Sequence, residues 1–170
     1  EVLDNVITFS LDHNLTGLEW AGGLPGTVGA GVRGNVGCFG WEIKDSLIEA
    51  EILEITDGSF GIKKMSNADL GFAYRHSFVK ESKNRIVLSA TFALSLSDPS
   101  SLQKAREMYH TNIGYRKTHH PLEYPNCGSV FKNIKKQEDV AKILAKWPDV
   151  ADLVQVKWHG KVAMGYIIKR

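Results

Sequence analysis

The residues best placed to do chemistry begin with a loop. Residues 22–40 (GGLPGTVGAGVRGNVGCFG) hold eight glycines in nineteen positions, against 16 in the whole chain of 170. Glycine has no Cβ, so a glycine-dense backbone lets a flat or anionic ligand lie directly against it, at an entropic cost to folding. The competing reading is a set of tight turns around a core. The segment is neither a Walker loop nor a strand-linked GxGxxG: Gly26-x-x-Gly29 is followed by no Lys-Ser/Thr pair, and no Asp stands where a ribose would need one. Other candidates are scattered. Ser129 follows Gly128, Arg75 follows Tyr74, and His119 and His120 are adjacent. Taken alone, such a serine is a turn residue and such an arginine a surface ion pair. Adjacent histidines without nearby acidic or cysteine ligands do not chelate a metal readily, so no metal site is expected. A Ser-His nucleophile pair lacks the glycine-flanked elbow that would support it.

The elements that must position these residues read as a mixture of helix and strand. The first 16 residues, with Val6-Ile7-Thr8-Phe9-Ser10-Leu11, predict a strand. Residues 47–55 and 59–65 flank Asp57-Gly58 and predict a β-hairpin, because β-branched residues border a strong turn signal. Residues 66–70 predict a short capped helical turn. Residues 85–96 (RIVLSATFALSL) predict a strand with one buried face. Asp98-Pro99-Ser100-Ser101 opens a helix to about Tyr115, its stripe formed by Leu102, Ala105, Met108, Tyr109 and Ile113. Residues 117–126 read as a linker, residues 137–147 as a second helix, and residues 161–170 as the start of another.

The totals exclude some classes. With 21 basic and 19 acidic residues the net charge is +2, which gives no reason to expect nucleic acid as a partner. No apolar run approaches a membrane span and the start of the chain is no signal peptide, so no membrane partner is expected. Cys38 and Cys127 lack metal-ligand spacing and read as a reduced pair, although one bridge between them is open.

Taken in order, several segments resemble the UDP-N-acetylenolpyruvoylglucosamine reductase (MurB) family. They are Gly17-Leu18-Glu19-Trp20, residues 23–29 (GLPGTVG), residues 33–40 (RGNVGCFG), residues 72–77 (FAYRHS), residues 86–92 (IVLSATF), residues 128–133 (GSVFKN) and residues 163–168 (AMGYII). The resemblance runs through most of the chain from about residue 15. It implies an α+β fold, with residues 1–97 a partial FAD-binding subdomain and residues 98–170 a partial substrate-binding domain. It implies a bacterial cytoplasmic oxidoreductase of peptidoglycan synthesis that uses FAD, with NADPH as hydride donor, on a UDP-sugar enolpyruvyl substrate.

The residue roles follow from the same resemblance. Leu24, Pro25, Gly26, Thr27, Val28 and Gly29, with Asn35, Gly37, Cys38 and Gly40, would bind the cofactor. Arg75 would stabilise negative charge on the substrate and Ser129 would donate the proton. Tyr74, Arg116, His119 and Asn133 would hold the nucleotide substrate. The chain departs from the family pattern at His119 (usually lysine), Ile134 (usually proline), Val36 and Cys38 (usually smaller), and in the order Ala30-Gly31. A Gly-Ser-Asn loop for the FAD pyrophosphate and a catalytic glutamate are expected in the family but absent here, which predicts a central fragment incomplete for turnover. Two other classes compete with the reductase: a flavin- or nucleotide-binding module without catalysis, and a ligand-free protein that keeps the fold. In the last, a homo-oligomer would cover the surface that a missing subdomain leaves.

Overall fold

The structure, a computed structural model, describes residues 1–124 and 130–170. Ser129 and Cys127 lie outside the described residues. Two compact units divide the chain, Glu1–Pro121 and Leu122–Arg170.

The first unit opens with helix α1 (Leu3–Asp12), where a strand was expected. The reason lies in the spacing of what is buried: Leu3, Ile7, Ser10 and Leu11 recur at three- and four-residue intervals and face the core, while Phe9 stays exposed. The local alternation of residues 6–11 is subordinate to that longer period. Strand β1 (Leu15–Thr16) follows, then a 3-10 turn over Glu19–Ala21. Helix α2 (Val28–Gly34) is capped by Thr27, whose hydroxyl accepts from Ala30 N at 3.2 Å. Strands β2 (Gly37–Cys38) and β3 (Trp41–Glu42) form a minimal hairpin, with Phe39 and Gly40 both at positive φ as a two-residue primed turn requires.

The expected hairpin is present as β4 (Leu47–Thr56) and β5 (Ser59–Ser66), turning at Asp57-Gly58. The capped helical turn expected at 66–70 is present: Leu70 N donates to the Ser66 carbonyl at 3.1 Å, Asp69 N donates to the Ser66 hydroxyl at 3.3 Å, and the Asp69 carboxylate accepts from the Ser66 amide at 3.1 Å. Strand β6 (Arg85–Phe92) pairs with the other edge of β4, giving an antiparallel sheet ordered β5-β4-β6. The remainder of the expected 85–96 strand is β7 (Ser95–Leu96), which pairs with β1.

Helix α3 (Pro99–His119) starts where the sequence signals it, with the Asp98 carboxylate accepting from Ser100 N and Ser101 N at 2.8 and 3.1 Å. It runs a turn beyond Tyr115, through the first residues expected to be linker. Its buried face includes Ala105, Tyr109 and Asn112, while Met108 is exposed. Asn112 is buried because its amide donates to the Trp20 carbonyl at 3.0 Å. The boundary expected at 97/98 thus falls at the start of α3, and the helix itself belongs to the first unit.

Two adjoining cores hold this unit. One gathers Leu3, Ile7, Leu11, Leu18, Trp20, Ala105 and Tyr109; the other gathers Val32, Ile43, Leu47, Ile52, Leu70 and Val79. Val28, Val36 and Phe92 pack against both, so the glycine-dense segment runs along the seam. The second unit is smaller: α4 (Gln137–Lys146), a turn of wider helix over Leu153–Lys157, and α5 (Met164–Ile168) enclose Val140, Val150, Val154 and Val162. No helix of the described residues is long and apolar enough to cross a membrane.

Candidate functional site

Arg75 stands on a tight turn. Ala73 and His76 exchange both backbone hydrogen bonds, at 3.1 and 3.0 Å, which leaves Tyr74 and Arg75 at the tip. Arg75 has φ 56, a left-handed conformation that is unfavourable for a residue with a long side chain. The surroundings hold it there. Its guanidinium donates through Nη1 to the Asn35 carbonyl at 3.3 Å and through Nη2 to the Gly37 carbonyl, and lies over the Tyr74 ring at 5.0 Å. Lys80 Nζ donates to the Arg75 carbonyl at 2.9 Å.

Arg116, on α3, reaches the same loop from another side. Its Nε donates to the Gly22 carbonyl at 3.0 Å, Nη2 lies 3.1 Å from Cys38 Sγ, and the guanidinium sits 5.3 Å from the Phe39 ring centre. Phe39 meets Tyr115 edge-on at 5.5 Å, and Tyr115 stacks on His119 at 4.0 Å. Phe39 and Tyr115 are nearly half exposed, so a row of rings runs beside Arg116. Sequence reasoning singled out Arg116 and His119 but missed Phe39 and Tyr115. The signal available was the helical spacing of Tyr115 and His119, four residues apart.

Cys38 lies between the two arginines. Burial pushes its thiol above the ordinary value, while the Arg116 and Arg75 guanidiniums pull the other way without overcoming it. The side chain is a free thiol and stays protonated at neutral pH. Among the described residues neither Arg75 nor Arg116 pairs with a carboxylate. Two guanidiniums held on backbone carbonyls beside a neutral thiol make a region suited to an anion with oxygen acceptors.

The eight glycines do not share one explanation. A Cβ on Gly37 would meet the Trp41 carbonyl oxygen at 2.5 Å, and one on Gly22 would meet the Tyr109 carbonyl oxygen at 2.7 Å. Those two answer to internal packing. At Gly26 and Gly40 a Cβ would meet nothing within 4 Å, and both are exposed. Pro25 and Thr27 are also exposed, Leu24, Val28, Gly29 and Cys38 are half-buried, and Asn35 and Gly37 are buried. Thr27, Val28 and Gly29 form one wall of a cavity of about 470 Å³, faced by Val87, Ala90 and Phe92 of the sheet, a size within the range of small-molecule sites.

The loop is anchored from beneath. Asp4 accepts from Gly23 N and from the Tyr109 hydroxyl, both at 3.1 Å, so α1, α3 and the loop meet at one carboxylate. Burial, then the hydrogen bond to Asp4, pushes the Tyr109 phenol up to about 12. Sequence reasoning missed this network, since its members lie 19 and 105 residues apart. The structure therefore brings Arg75, Tyr74, Asn35, Gly37, Cys38, Arg116 and His119 to one side-chain neighbourhood along loop 35–40 and α3. Asn133 lies in the second unit, where its side-chain oxygen accepts from Met164 N at 3.3 Å. Among the described residues no three His, Cys, Asp or Glu side chains group as metal ligands.

No family model matches the chain. Curated relatives do. The UDP-N-acetylenolpyruvoylglucosamine reductase of Lactococcus lactis subsp. cremoris is 40% identical over 130 residues, covering 76% of this chain and 41% of that protein. The protein of that name from Listeria monocytogenes is 43% identical over 124 residues, 73% and 39% of the two chains. That from Enterococcus faecalis is 42% identical over 151 residues, 89% and 46%. The chain thus spans less than half the length of these relatives. Among solved structures, the crystal structure of UDP-N-acetylenolpyruvylglucosamine reductase (MurB) from Thermus caldophilus superposes with a TM-score of 0.61 over 84% of this chain and 50% of that one. At 24% identity that likeness concerns the fold, and it agrees with the α+β class expected from the sequence.

Proposed function

We propose, from the homology of this chain to the UDP-N-acetylenolpyruvoylglucosamine reductases, that it supplies the central part of such an enzyme and that Arg75 and Arg116 face an anionic nucleotide substrate while loop 35–40 lies against the cofactor. The observation that carries the reading is the convergence of Arg75 on the Gly37 carbonyl and of Arg116 on Cys38, with no carboxylate among the described residues paired to either. The cofactor side would lie in residues 1–97 and the substrate side in residues 98–170.

FAD fits what the loop offers: an open backbone at Gly26 and Gly40, and a cavity walled by Thr27, Val28 and Gly29. Leu24, Pro25 and Cys38 would complete its surroundings, with the buried Asn35 and Gly37 behind them. When bound, FAD would supply to the enolpyruvyl double bond a hydride taken from NADPH. The chain's own residues do the rest. Arg75, already oriented on two carbonyls, stabilises the negative charge that develops on the substrate, as a preorganised cation does. Arg116 binds the pyrophosphate, and His119, stacked on Tyr115 further along α3, adds a second contact. Tyr74 and Asn133 hold the nucleotide, and Ser129 returns the proton.

Calorimetric titration of the purified chain with UDP-N-acetylglucosamine, with and without FAD, tests this reading. Arg116→Ala should weaken binding by about tenfold or more, equivalent to ~1.4 kcal/mol, and raised salt should weaken the parent more than the variant. An Arg116→Ala chain with undiminished affinity would overturn it. A yellow protein that binds FAD but not the nucleotide would indicate a flavin-binding module.

A further inference from the structure

We infer that Asn35 is a positioning residue for Arg75, acting through hydrogen bonds and never through contact with a ligand. The inference rests on the reading of Arg75 as the group that stabilises substrate charge. Asn35 is fully buried, and its side-chain amide is used completely inside the protein. Nδ2 donates to Glu42 Oε2 at 2.9 Å and to the Ala73 carbonyl at 3.0 Å, and Oδ1 accepts from Lys44 N at 3.4 Å. Glu42 is itself fixed, with Lys44 Nζ 3.3 Å from its carboxylate.

Asn35 therefore meets the Arg75 turn at both ends. Its side chain holds the Ala73 carbonyl at the base of the turn, and its own main-chain carbonyl accepts from Arg75 Nη1 at 3.3 Å. The Gly37 carbonyl, two residues on, accepts from Nη2. One residue thus fixes the distance between the turn that carries Arg75 and the two carbonyls that orient its guanidinium. Its φ of 43 adds a reason for the residue type, since asparagine tolerates the left-handed region better than most side chains. A buried amide that loses such partners cannot turn to water for replacements.

The test uses the full chain and reads Arg75 directly. In the ¹⁵N spectrum the Arg75 Nη–H signal, identified by its loss in Arg75→Lys, should be resolved and slow to exchange. Asn35→Gly keeps the left-handed backbone and removes the amide, and it should return that signal to the exchange rate of free arginine. Asn35→Asp should do the same, because it sets an acceptor against Glu42 and Ala73. The double variant Asn35→Asp, Glu42→Gln restores donor against acceptor across the 2.9 Å pair and should recover part of the signal, which a mere packing defect would not. In the unaltered chain, the Asn35 side-chain amide protons should exchange at least about tenfold slower than those of exposed Asn84. This measurement needs no variant to fold. An unchanged Arg75 signal in a folded Asn35→Gly chain, or Asn35 amide protons exchanging as fast as those of Asn84, overturns the inference. Failure of the Arg75 reading shows differently: the affinity of the chain for the enolpyruvyl nucleotide would survive Arg75→Ala while Asn35→Gly still released the Arg75 signal.

Discussion

Replacing single glycines in the loop separates those demanded by packing from those open to a ligand, and the two substitutions with the clearest contrast are Gly37→Ala and Gly34→Ala. A Cβ on Gly37 would lie 2.5 Å from the Trp41 carbonyl oxygen, 2.8 Å from Glu42 Cγ and 3.2 Å from Glu42 Cα. A carbon rests against a carbonyl oxygen at about 3.3 Å, so the β2–β3 hairpin must open by roughly 0.8 Å. Backbone, not a flexible side-chain end, is what has to move. Overpacking of this kind costs about 1–3 kcal/mol. For a chain of this size each kcal/mol shifts Tm by about 2–4 °C, so Gly37→Ala should melt roughly 2–12 °C below the parent. Gly34 is the last residue of α2, is not at positive φ, and would place its Cβ in open space. Alanine there gains up to about 0.5–1 kcal/mol from reduced chain entropy and helix propensity, so its Tm should hold or rise by a few degrees. Thermal unfolding followed by circular dichroism at one pH and one concentration measures both. If Gly37→Ala melts within about 1 °C of the parent, or Gly34→Ala falls as far as Gly37→Ala, the close-approach account is wrong.

Two further outcomes follow from titrating groups under the loop. Tyr109 ionises near 10 in the unfolded chain and at about 12 in the folded one, so its contribution to stability is complete below pH ~10 and is lost as pH rises toward ~12. Tyr109→Phe should melt lower than the parent at pH 7, by roughly 0.5–1.5 kcal/mol for the lost bond to Asp4, and the gap should narrow in the alkaline range. A gap independent of pH between 9 and 11 would refute the shifted phenol. Cys38, held protonated by burial, should react with iodoacetamide at pH 7.5 at least about tenfold more slowly in the native chain than in denaturant, as read by mass mapping of its peptide. Equal rates would show that the thiol is neither shielded nor raised.

What the sequence made legible was local. Asp57-Gly58 forces the β4–β5 hairpin through two consecutive positive φ values, and Asp98-Pro99-Ser100-Ser101 fixes the start of α3 through hydrogen bonds that span three residues. Both signals complete themselves within a few positions, so they survive without knowledge of the rest of the chain. Helix α1 failed by the same logic, because the decisive contacts of Leu3, Ile7 and Leu11 are with Trp20, Ala105 and Tyr109, far along the sequence. A six-residue alternation cannot compete with a core it does not know about.

The glycine segment shows how a composition signal divides once partners are visible. Its density suggested one purpose, contact with a flat or anionic ligand. Gly22 is instead shaped by α3 and Gly37 by its own hairpin, while Gly26 and Gly40 keep an open face. Arg75 and Arg116 are 41 positions apart in the chain, and no spacing rule links them; their common ground is Cys38, which both guanidiniums perturb. Asn35 was legible as a member of a motif but not in its role, because its partners at positions 42, 44, 73 and 75 become neighbours only when the sheet, α2 and the Arg75 turn assemble. If so, the residue types in this loop are constrained twice over, by what a ligand touches and by what keeps Arg75 in place. A substitution that spares every exposed atom of the loop can still release the guanidinium, which is why Asn35→Gly is the more discriminating perturbation of the site than any change at Gly26 or Gly40.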